Sequence, residues 1–243
     1  PPTAVGPAPT PAPKSKPTQL AFGRYQFKDA VSAAVDGAFA LDVRDMFDAT
    51  TPNAAETIYT EGANAKGSKL FGDTATPSLA SLSTLALPYM KEDSLYNIYR
   101  YALYDDTDFD PNSGETFSMA DDVVIEALTK GNDNQLAAEA TVVSQVFMMI
   151  AHKLYSAVRI CSQGQDPALE LDSAVALWVG QDQGEGNFDD GWMLYSVGQS
   201  VHKFYGNPEG EAPDNGRLMD LFLEAQSAAA SCPKLEEIGR AHV

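Results

Sequence analysis

From Gln19 onward the apolar residues recur every three or four positions, the spacing that puts one stripe along a helix. The longest run predicts a helix over Asn134 to Ile160, with Leu136, Ala140, Val143, Phe147, Ile150, Leu154 and Val158 as its stripe. Free of internal Gly or Pro, that stretch is expected to be the central helix. Similar stripes run through Leu194, Val197, Val201 and Phe204, and through Leu218, Phe222 and Ala225. Further helices are predicted over Ala30–Phe47, Ala54–Glu61, Leu79–Leu87, Ser94–Tyr104, Met119–Lys130 and Leu171–Val179. Asn53 and Asp172 stand where N-caps belong, and Gly62, Gly131, Gly180 and Gly206 where helices should stop. No alternating run argues for a strand, so the expected fold class is all-α.

The ends have a different character. Residues 1–17 hold seven of the 15 prolines and no aromatic residue, the composition of an extended linker. The last six, Ile238 to Val243, read as the translation of a sequencing-library adapter and are set aside from fold reasoning. That leaves one helical region over 18–237. Within it the stretch from Asp48 to Gly62 lines up with that from Asp166 to Gly180, which suggests an internal duplication of about 18–132 and 133–232.

Charge narrows the function classes. The 243 residues carry 34 acids against 16 bases, a net charge of −18, while 44% are hydrophobic. Such a chain can fold, but its field repels phosphate backbones, so nucleic acid is excluded as a partner. No transmembrane segment is expected, because the longest uncharged run, Thr74 to Met90, carries two prolines and lacks the ~20 mostly apolar residues a span needs.

No catalytic arrangement emerges. His152, His202, Cys161 and Cys232 are spread over different segments, without a GxSxG turn, a CxxC pair, an HExxH helix or a phosphate-cradling loop. The expectation is a non-enzyme. The two cysteines leave open a disulfide or two free thiols.

The acids gather in two loops. Asp106, Asp108 and Asp110 alternate as at the start of a calcium loop. Pro111 replaces the glycine such a loop needs and Phe117 its bidentate Glu, so an EF-hand is rejected and an irregular, oxygen-rich cation site remains. The second loop carries Asp182, Glu185, Asp189 and Asp190, followed by Tyr195 and His202 seven residues apart on one helix face. Hard carboxylates with imidazole and phenolate suit iron, with calcium as the alternative. A solvated acidic surface is the plainer reading of both loops.

The second half also resembles a known family. Asp172–Gly180 (DSAVALWVG), then Gly191–Gly198 (GWMLYSVG) and Lys203–Gly206 (KFYG), is similar to the repeated unit of the low-iron-inducible periplasmic proteins of algae. Ile58, Tyr59 and Gly62 look like a second copy, and Tyr99 to Asp105 like a further echo. The Lys203–Gly206 stretch departs from the family pattern in having no cysteine nearby. The resemblance implies a secreted, periplasmic or cell-surface helical protein that binds or concentrates iron for a membrane-bound iron reductase or permease. Secretion in turn favours a Cys161–Cys232 disulfide. The alternative is a cell-surface structural or interaction module without a specific metal site.

Overall fold

The computed structural model describes residues 22–70, 76–82, 119–183, 191–206 and 210–232. Outside them lie the Pro-rich segment, most of the Leu79–Leu87 helix, the whole Ser94–Tyr104 helix, Asp106, Asp108, Asp110, Glu185, Asp189, Asp190 and the last six residues. The fold is all-α. Among the described residues the extended pairing is a single Phe22–Tyr25 bridge.

The first two helices are α1 (Ala30–Gly37) and α2 (Phe39–Phe47). The sequence pattern predicts one helix there. It breaks because the Gly37 carbonyl accepts the Gln181 N–H at 2.9 Å, while the Ala38 N–H tightens back onto Val35. Asp29 starts α1 by accepting the N–H groups of Val31 and Ser32. Next comes α3 (Pro52–Glu61), capped by the Thr51 hydroxyl rather than by Asn53, because Pro52 opens the helix two residues earlier.

After α4 (Met119–Glu126) the chain widens into a π turn, Ala127–Gly131, which ends on Asn132 in the left-handed region rather than on Gly131. A continuous rod follows: α5 (Asn134–Ala140), a π segment (Thr141–Val146) and α6 (Phe147–Ser162). Then come α7 (Ala168–Val179), α8 (Leu194–Phe204) and α9 (Pro213–Ala229).

The rod departs from its predicted role in two ways. Leu136, Val143, Phe147 and Val158 lie exposed, while Ala137, Val142, Gln145, Val146, Met149 and Lys153 are buried. A π segment adds a residue to the turn, so a stripe spaced for an α-helix cannot hold one face across Thr141–Val146. The central helix is instead α7, against which α1, α6, α8 and α9 all pack. From Leu171 to Val179 it is buried almost all round, and its Trp178 lies 5.3 Å from the Tyr195 ring and 5.2 Å from that of Phe222. Asp166, not Asp172, accepts the first N–H of α7, from Ala168. Asp172 is buried within the helix and accepts from the Tyr25 hydroxyl and the Asp29 N–H.

Cys161, at the end of α6, is joined by a disulfide to Cys232, just beyond α9, with the Cα atoms 5.2 Å apart. Two helices stop on glycines of the same unusual backbone: Gly62 after α3 (φ 64°, ψ 162°) and Gly180 after α7 (φ 79°, ψ 158°). Only glycine adopts that region without strain.

Candidate functional site

The buried carboxylates are the first places to look for chemistry. Burial pushes Asp36, Asp42 and Asp172 above the usual carboxylate range, against the pull of the hydrogen bonds each accepts. Those bonds are internal. Asp36 accepts from the hydroxyls of Ser68 and Ser173, tying the loop after α3 to α7. Asp42 accepts the backbone N–H groups of Ala63, Asn64 and Ala65 and so shapes the turn after Gly62.

Near Asp36, Lys153 pairs with Glu170 at 2.9 Å, both largely shielded, and the adjacent His152 is lowered mainly by its own burial. Tyr59 donates to Asp121 at 2.7 Å and receives the Gln145 amide; burial first, then Asp121, raises its phenol. Each cluster links two or more helices, and none of these carboxylates lines the clefts described next.

Two clefts stand out. One, of about 700 Å³, lies beside the disulfide, between Tyr25, Gln26, Leu171, Gln226 and Cys232, with the Lys28–Asp166 ion pair on its wall. The other is an apolar groove of about 500 Å³ between α2, the α5–π rod and α8. Its walls are Val43 and Phe47 from α2, Ala138, Val142 and Val143 from the rod, and Val197 and Val201 from α8. Ser196, Ser200 and Glu139 supply its polar groups, and Trp192 completes the lining.

Trp192 is held in the groove wall by a backbone constraint. A Cβ on Gly191 would meet the Gln183 side-chain oxygen at 2.1 Å and the Val179 carbonyl at 2.8 Å, so the loop runs tight against the end of α7. Gly191 and Met193 are buried. Trp192 between them takes φ 54°, a left-handed conformation costly for a bulky residue, and its ring lies 4.8 Å from that of Phe47. Strain held in place at the wall of a concave apolar surface marks a candidate site.

The proposed ligands are only partly within the described residues. Asp182 is exposed, with φ 69°, and His202 is half-buried in the last turn of α8. Tyr195 is buried in the core and donates its hydroxyl to Glu211 at 3.1 Å. Among the described residues no three His, Cys, Asp or Glu side chains come together to hold a metal. None of their helices is long and apolar enough to cross a membrane.

The groove itself went unread in the sequence. Its signal was the Val197–Val201–Phe204 stripe, which looks like core and instead forms one wall and continues to an exposed aromatic. No family model matches the chain, and neither a curated protein nor a solved structure matches it.

Proposed function

We propose that this protein is a non-catalytic binding module of an oxidising compartment, secreted or at the cell surface, and that it works through the groove between α2, α5 and α8. The strained Trp192, packed at a tilt against Phe47 in the wall of an apolar groove, is the observation that carries this reading. The disulfide supports the compartment, since such bonds persist where thiols are not kept reduced. Titration with the apolar dye bis-ANS tests the groove. Saturable binding is expected, lost in Val197→Asp and kept in Val158→Asp, which alters an exposed residue outside the groove. Equal binding by both variants would place the dye elsewhere and contradict the reading.

A second reading is iron binding at an algal cell surface, feeding a membrane reductase or permease. It is supported by the family resemblance and by the two acid-rich stretches, of which Asp182 and His202 lie within the described residues. Calorimetric titration with Fe(II), Fe(III) and Ca(II) tests it. Binding tighter than about millimolar, weakened by Asp189→Asn with Asp190→Asn, supports a cation site; weaker binding of all three ions removes it.

A further inference from the structure

The wall of the groove does not end where the groove does. On α8, Val197, Ser200, Val201 and Phe204 fall at i, i+3, i+4 and i+7, one face of one helix. The first three line the groove, while Phe204 stands beyond it, 84% exposed, with Tyr205 beside it at 78% and the two rings 5.5 Å apart edge to face. Val201 is itself 51% exposed. A cavity and an apolar projection therefore share one stripe, about one helical turn apart.

We propose that a second copy of this chain covers this face, through antiparallel pairing of α8 about a two-fold axis that places Phe204 of each copy in the groove of the other. The pairing rests on the reading of the groove as a binding surface. An axis crossing between Ser200 and Val201 sets Phe204 opposite Val197 of the second copy, and Val201 opposite its Ser200. Contacts of this isologous kind use the same patch twice, which is what a stripe carrying both projection and cavity provides.

Charge agrees with this occupant. At −18 per chain two copies repel at long range, so a contact between them must fall where like charge is scarce. The stripe is uncharged. Glu139 is the one charged side chain among the groove's lining residues described, and Lys203 immediately precedes the projecting Phe204. Inserting Phe204 thus brings a base toward the groove's acid. Salt at 0.15 M, with a screening length of about 8 Å, leaves this close contact while damping the repulsion.

Sedimentation velocity of the full chain at 0.15 M NaCl, over about 1–300 µM, is the test. The expected result is a reversible dimer with a dissociation constant in the micromolar range. Phe204→Asp alters a solvent-exposed residue, so the fold is expected to survive, checked by circular dichroism. It should weaken the dimer at least tenfold, and Val158→Asp should not. Lys203→Glu and Glu139→Lys should each weaken it, and the two together restore it. A monomer throughout the range, or a dimer indifferent to Phe204→Asp, overturns the pairing. If bis-ANS still binds with loss in Val197→Asp, the groove reading stands and only the pairing fails; if it does not, both fail.

Discussion

Two helix ends solve one geometrical problem with different means. After α3 the chain turns at Gly62, and the next three N–H groups are collected by Asp42 on the neighbouring α2, so the turn is held within its own helix pair. After α7 it turns at Gly180 with nearly the same dihedrals. There the next N–H, of Gln181, goes to Gly37 at the end of α1, and the glycine lies against Ala40 and the Gly191 carbonyl. The first turn is local. The second joins α1, α2, α7 and the loop that aims Trp192 into the groove, so damage there should travel further.

Gly180→Ala tests that difference most severely. The new Cβ would lie 2.3 Å from the Gly191 carbonyl and 2.8 Å from the Ala40 Cβ, on a backbone that already demands glycine. Strain and overpacking together should cost about 5 kcal/mol in urea unfolding and shift Trp192 emission. Gly62→Ala meets the Pro77 carbonyl at 2.5 Å and should also destabilise, by about 3 kcal/mol, but leave that emission unchanged. Equal emission changes would erase the distinction between local and shared turns.

Reduction of the disulfide comes next. It closes a separation of 71 residues, worth about 4 kcal/mol on the chain-entropy argument. Hydrogen exchange after reduction should quicken at the ends of α6 and α9 and stay slow in the turn after α3.

Removing the acid of the local turn, Asp42→Ala, leaves its three backbone donors without their buried acceptor and should cost about 3 kcal/mol. Exchange should rise at Ala63, Asn64 and Ala65, with bis-ANS binding to the groove retained.

The smallest effect is the pH slope. Burial keeps Asp36, Asp42 and Asp172 above the ordinary carboxylate value, so the folded chain holds these protons more tightly than the unfolded one. Their contribution is full below the ordinary pKa and is lost as pH rises through the folded values. His152, lowered by burial, acts oppositely: stability falls as pH drops from its ordinary value through the folded one. Melting temperature should therefore dip slightly on acidification below neutrality and then rise toward pH 4. Asp36→Asn, which has no proton to release, should make that rise smaller.

The all-α class and most helix positions were legible in the spacing of apolar residues, and Gly62 and Gly180 in their places after such runs. The inward faces were not. Leu136, Val143 and Phe147 look like core, yet Gln145 and Lys153 take those inner positions because Tyr59 and Glu170 supply their partners from distant segments. The π segment that rotates the rod has no marker in hydropathy. Asp172 reads as a helix cap, since the N–H and hydroxyl it receives come from residues far along the chain. The groove was hidden for the same reason: a stripe of valines shows that a face is apolar, not what covers it.

Acrylamide quenching tests the central claim most directly, because Trp178 is buried and the accessible emission reports the half-buried Trp192 in the groove wall. If this groove is the surface the protein works through, Trp192 should be quenched measurably in dilute protein and become further shielded as bis-ANS binds or as the protein is concentrated. Quenching that stays the same while dye binds and copies associate would contradict it.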